Sequence, residues 1–165
     1  VVRYVPGVRD GTLTKGATDW REALFSPPTV HVHLNDVDQG SLSTGADNKI
    51  LFSTVALDSD SWWDSTNKRY TPQVAGRYCA TLMVAQKGSS MTTTPVARLY
   101  KNGAEIASGA YIEGITANNA GSFVSYEMEM NGSTDYIEGW ALVPTNGTYI
   151  DGRARRTFMQ IRRVR

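Results

Sequence analysis

The chain has only two histidines, His31 and His33, and a single valine separates them. On an extended strand, positions i and i+2 share a face, so both imidazoles would project the same way. Three such pairs around an axis would offer six nitrogens, an octahedral set for a transition metal. The plainer alternative is two solvated or hydrogen-bonded histidines on an edge strand. Asp58, Asp60 and Asp64 are close enough in sequence to suggest Ca²⁺, but they lack the glycine and distal glutamate of an EF-hand loop. Turn capping suits them better, because aspartate side chains accept from nearby backbone N–H groups. Glu127 and Glu129 share a strand face. This is the pattern of a salt-bridged surface more than of a glycosidase pair. There is no nucleophile elbow, Gly-rich phosphate loop or Cys/His metal spacing. The expectation is a protein without catalytic residues or a resident cofactor.

Two further groups could bind without reacting. Trp62 and Trp63 adjoin the polar stretch Asp64, Asn67, Lys68 and Arg69. If the chain is extended there, the two rings point to opposite sides, and at least one lies outside the core. A large ring beside polar groups is an interface plug or a ligand platform. Arg153, Arg155, Arg156, Arg162, Arg163 and Arg165 crowd the C-terminus. Such a cluster suits an anion, unless Glu127, Glu129, Asp135 and Glu138 neutralise it. The net charge of +1 argues against a nucleic-acid partner. Asn131-Gly-Ser and Asn146-Gly-Thr match glycosylation sequons, but Asn-Gly is also a turn signal.

These residues need a scaffold, and the periodicity indicates one. The 165 residues suit one domain with an arm. No apolar run is long enough to span a bilayer as a helix, so no membrane insertion is expected. The lone cysteine, Cys79, excludes an intrachain disulfide and reads as a packed thiol. Residues 1–28 lack alternation and are broken by glycines. They read as an arm or linker, with one helical turn over Thr18–Phe25 and Trp20, Leu24 and Phe25 available for docking. From Thr29 a period of two takes over. Val30, Val32 and Leu34 oppose the two histidines. "KILFSTVAL" (Lys49–Leu57) reads as one strand. Tyr78, Ala80, Leu82 and Val84 share a face, as do Val124, Tyr126, Met128 and Met130. Asn102-Gly103 predicts a tight hairpin. Short strands recur to the end of the chain. Eight to ten antiparallel strands without long helices predict an all-β sandwich or jelly roll over residues 29–165.

Four pieces in order carry a family resemblance. In "ILFSTVALDSDSWWDSTNKRYTPQVAGRYCATLMV", Val55, Leu57, Asp58, Trp63, Asp64, Tyr70, Pro72, Gly76 and Tyr78 match the turn-and-strand signature of the C1q/TNF-like domain. "LYKNG", "DYIEGWAL" and "TFMQIRRV" match its hairpin and later strands. There are two departures: Gln160 stands where the family has a glycine, and Gly139 where it has a valine. Without a preceding collagen-like stem, the chain looks like the C1q-like heads of bacteriophage fibre and spike proteins. Some phage fibres also carry an H-x-H metal motif.

The resemblance implies a tight homotrimer. Tyr78, Tyr126, Tyr136 and Phe158 are the candidates for its interface. It also implies a non-enzymatic virion head, extracellular on the particle surface, that binds a host-surface glycan or other receptor. Trp62, Trp63, Asp64, Asn67, Lys68 and Arg69 would be the contact residues, with the Gly88–Thr94 loop, and residues 1–28 would grip other virion proteins. Two alternatives are a capsid decoration or fibre-base protein anchored by residues 1–28, and a secreted C1q-like lectin or cytokine-like ligand.

Overall fold

A computed structural model describes residues 8–9, 12–13, 27–143 and 149–164, with the backbone alone at 8–9, 12–13, 89–92 and 114–118. The strands are β1 (Val8–Arg9), β2 (Thr12–Leu13), β3 (Thr29–His33), β4 (Asp47–Lys49), β5 (Thr54–Asp58), β6 (Trp63–Asp64), β7 (Arg69–Tyr70), β8 (Gly76–Thr93), β9 (Val96–Lys101), β10 (Ala104–Ser108), β11 (Glu113–Met130), β12 (Ile137–Leu142), β13 (Tyr149–Ile150) and β14 (Phe158–Arg163). Among the described residues β1 and β2 pair only with each other. The helical turn expected over Thr18–Phe25 lies outside the described residues, as do Asn146 and Arg165.

Two antiparallel sheets form a sandwich. One runs β5-β3-β14-β8-β11 with β13 added on β8; the other runs β10-β9-β12-β7-β6 with β4 added on β12. β3 and β14, near the two ends of the domain, lie side by side, and the chain crosses between sheets from β8 to β9 and from β10 to β11. This is jelly-roll connectivity. The core is set by alternation. Val30, Val32, Tyr78, Leu82, Met159 and Ile161 from the first sheet are fully buried with Leu99, Ile137 and Ala141 from the second.

The run Lys49–Leu57 is two strands rather than one. The Ile50 N–H donates to Gly139 O in the second sheet (3.0 Å), and the Ser53 N–H donates to His33 O in the first (3.2 Å). The chain changes sheets between them and buries Ile50 and Phe52 in the gap. A run that is apolar on both faces fits a crossing as well as a strand. The segment Gly88–Thr94 is also not a loop, because β8 continues to Thr93.

The two departures from the family pattern have local reasons. A Cβ on Gly139 would lie 3.1 Å from Phe52 and 3.2 Å from Leu82, so those side chains occupy the space a valine would need. Gln160 stands opposite His31 and Thr81, on the face of the sheet away from the core. The hairpin at Asn102-Gly103 is present, with both residues at positive φ.

Candidate functional site

Directly opposed residues in adjacent strands share a face. Across the outside of the first sheet, one row reads Leu57, His31, Gln160, Thr81 and Ser125. The next reads Thr54, His33, Phe158, Met83 and Phe123. A third contains Thr29, Arg162, Cys79 and Glu127. The middle of this surface is rich in rings and apolar side chains. On its two edge strands Phe123 is 63% and Leu57 49% exposed. Such a surface is expected to be covered by a partner. Its flank is charged, with Arg77 paired to Glu129 at 3.1 Å and to Glu127 at 3.9 Å.

Of the four expected interface aromatics, this face holds only Phe158 squarely. Tyr126 is 45% exposed, but it stands opposite Ala80, on the core side of the edge strand β11. Tyr78 is a core residue rather than an interface one. It is fully buried, and its hydroxyl donates to Val74 O at 2.8 Å. Tyr136 belongs to the other sheet's end, beneath the guanidinium of Arg69 at 4.5 Å from the ring centre. Sequence alternation grouped tyrosines by strand face, but it could not tell which end or edge of the sandwich each would reach. Phe123 and Met83 were missed for the same reason.

His31 and His33 share the outer face, with ring centres 6.1 Å apart, and His31 meets the Phe158 ring edge-on at 5.6 Å. His33 Nδ1 lies 2.8 Å from Leu34 O, so it carries the proton. Nε2 of His31 is buried without a hydrogen-bond partner among the described residues. Desolvation by burial, then the nearby His33, holds the His31 pKa below its ordinary value. Among the described residues no group of three or more His, Cys, Asp or Glu is placed to hold a metal ion.

The Trp62–Arg69 turn is at the end of the sandwich where β8 begins. Asp58 accepts from the N–H groups of Trp62 and Trp63. Asp64 accepts from the N–H groups of Thr66 and Asn67 and from Asn67 Nδ2 at 2.7 Å, and these bonds, led by the Asn67 backbone, hold its pKa low. Both carboxylates act as turn caps, so a Ca²⁺ site is not what they build. Both indoles pack partly into the core: Trp62 leans on Tyr70 and Trp63 meets Phe52 edge-on at 6.1 Å. Neither ring therefore stands clear of the core, as one of them would on a fully extended chain. A shallow groove of about 320 Å³ runs past Ser61, Trp62, Trp63, Asp64, Thr71 and Gln73. Of the other contact candidates, Asn67 and Arg69 turn back to brace Asp64 and Tyr136, and Lys68 sits at positive φ. Gly88–Thr94 cannot join this surface. Twelve residues of β8 separate Gly88 from Gly76, about 40 Å at the rise of a strand.

Two of the C-terminal arginines share one acid. Arg153 grips the fully buried Asp151 carboxylate with Nε and Nη2, and Arg156 adds a contact at 3.5 Å. Arg163 donates to Ala75 O. Asp151 thus pairs with two of the arginines, and the four acids expected from the sequence pair with Lys49, Arg77 and Lys101 instead.

The outside of the second sheet carries a network not anticipated from the sequence. Tyr100 and Trp140 stack at 5.0 Å, and the Tyr100 hydroxyl and Arg98 both donate to Asp47 Oδ2. Arg98 also pairs with Glu105, and Lys49 with Glu138. The residues are far apart in sequence and meet only through the β4-β12-β9 register. Beside it, Val96, Arg98, Tyr111, Leu142 and Val143 line a cavity of about 370 Å³.

No protein-family model matches the chain, and no curated protein matches it by sequence. Its structure is similar to solved ones. Murine APRIL superposes with a TM-score of 0.63 at 10% identity, over 83% of this chain and 98% of that one. Eiger TNF from S. frugiperda superposes with a TM-score of 0.61 at 13% identity, over 84% and 94%. The fold is therefore a TNF-like jelly roll, as the resemblance implied.

Proposed function

We propose that the chain is a non-enzymatic recognition head that assembles as a homotrimer and binds an extracellular partner. The observation that carries this reading is the outer face of the first sheet. Phe123, Met83, Phe158 and Leu57 lie there in adjoining rows, with Phe123 63% and Leu57 49% exposed. Apolar surface of this kind gains about 25 cal/mol per Å² when covered. A second copy of the same chain is the simplest cover, and closed rotational symmetry is the common way to supply it. The TNF-like fold of APRIL and Eiger supports the same reading.

Those two neighbours favour a secreted C1q- or TNF-like ligand that engages a receptor over a head from a phage fibre. The virion reading, with a host-surface glycan as partner and residues 1–28 as anchor, keeps the sequence resemblance as its support. In either case three copies would multiply individually weak contacts into avidity. The groove that Trp62, Trp63 and Asp64 line supports placing those contacts there.

Sedimentation of the full chain tests the assembly. A single species at three times 18.1 kDa supports it, and a monomer removes it. The variant Phe123→Glu should sediment as a folded monomer. A glycan array then separates the two partner classes: binding lost in Trp62→Ala but kept in Tyr149→Ala, which removes an exposed ring of β13 that does not line the groove, favours the glycan.

A further inference from the structure

The face assigned above to self-association has two imidazoles in its midst. His31 stands between Leu57 and Gln160, and His33 between Thr54 and Phe158. We propose that association through this face is switched off by acid, with His31 as the sensor. The inference rests on the trimer reading.

His31 is the one residue of the face whose charge changes in mildly acidic solution and whose surroundings oppose that charge. Its Nε2 is already buried and has no acceptor among the described residues. A protonated imidazole would carry an N–H there with nothing to receive it. Its neighbours offer no counter-charge. Across the sheet it faces Leu57 on β5 and Gln160 on β14, and the Phe158 ring lies against it at 5.6 Å. Along β3 it faces His33, whose positive form would repel it. The nearest charged groups on the outer face of β14 and β11 are Arg162 and Glu127. Arg162 has the wrong sign, and Glu127 stands three strands away, beside Arg77. Asp58, next to Leu57 on β5, is occupied by the Trp62 and Trp63 N–H groups.

Burial of this face by another copy would remove the remaining water from His31 and extend the desolvation that already lowers its pKa. The neutral form therefore favours the assembly and the charged form favours the free protomer. Association is full above the pKa of the free protomer, which lies below the ordinary 6.5, and weakens as pH falls through it. Three copies of His31 would each have to lose a proton on assembly. The association constant should then fall by up to about a thousandfold per pH unit within that window.

The experiment is sedimentation velocity of the full chain at pH 7.5 and 5.0, at constant ionic strength, with far-UV circular dichroism on the same samples. The expected result is trimer at pH 7.5 and monomer of unchanged β signature at pH 5.0, with His31→Gln trimeric at both. His33→Gln should still dissociate, but with a midpoint at higher pH, because one repulsive neighbour has gone. A wild-type trimer at both values overturns the switch and leaves the trimer reading intact. Dissociation of His31→Gln in step with the wild type overturns it too, as does loss of the β signature on dissociation. A monomer at pH 7.5 overturns the trimer reading and the switch with it.

Discussion

The Asp58 carboxylate receives two backbone hydrogen bonds, from the Trp62 N–H at 3.1 Å and from the Trp63 N–H at 2.8 Å. One side chain at the end of β5 therefore fixes the entry of both indoles into the side of the core. Asp58→Ala would leave two partly buried donors without a partner, at about 1–3 kcal/mol in total. Urea denaturation should show a loss of that size. Asp60→Ala, which removes only an exposed bond from the Ser59 hydroxyl, should be nearly neutral. Equal losses in the two variants would sink the capping role.

The same aspartate shows how far the sequence could be read. Its type, spacing and turn-forming neighbours announced a cap, and alternation along β3, β8 and β11 announced the core. What alternation cannot report is where the chain changes sheets. Lys49–Leu57 is apolar on both faces because it crosses the sandwich, not because a single strand is buried on both sides. Nor can it report which residues from distant strands share a face. Phe123, Met83 and Phe158 come together through register alone. The Asp47–Arg98–Tyr100 network likewise joins residues about fifty positions apart. Tyr78 was an interface candidate through the trimer that the resemblance implies, but it is fully buried inside the protomer, where Val74 O receives its hydroxyl.

Gly139 is defined by its neighbours. The nearest atoms to a Cβ there are Phe52 at 3.1 Å, Leu82 at 3.2 Å and Met159 at 3.4 Å. Gly139→Val should overpack the core and destabilise the fold by about 1–3 kcal/mol. Combining it with Phe52→Leu should recover part of the loss, since the ring is the closest obstacle. Thermal unfolding of the two single variants and the double variant measures the coupling. Strict additivity would mean that Phe52 does not fill that space.

Tyr70 and Tyr78 are both fully buried and their rings meet at 6.3 Å, but only one hydroxyl is partnered. Burial pushes the pKa of both phenols up, so both stay neutral across the ordinary pH range. Tyr78→Phe removes the bond to Val74 O and should lose about 1 kcal/mol. The Tyr70 hydroxyl has no partner among the described residues, so Tyr70→Phe should be neutral or stabilising. Parallel denaturation curves decide it: a larger loss in Tyr70→Phe than in Tyr78→Phe reverses the assignment.

Asp151 ties the C-terminal arginines to the sandwich. Its side chain is fully buried, and the Arg153 guanidinium, ahead of all other causes, holds its pKa below the ordinary carboxylate value. A carboxylate whose folded pKa is depressed adds stability above its unfolded value, and that stability is lost as pH falls through the folded one. Asp151→Asn should therefore be clearly less stable than the wild type at pH 7, where it leaves Arg153 and Arg156 without their counter-charge. The gap should narrow as the pH falls below 3.8, the ordinary carboxylate value, toward the depressed folded one. Melting temperatures of the two proteins across that range test the sign. A gap that stays constant with pH would mean that the shape of the side chain, and not its charge, holds this corner of the fold.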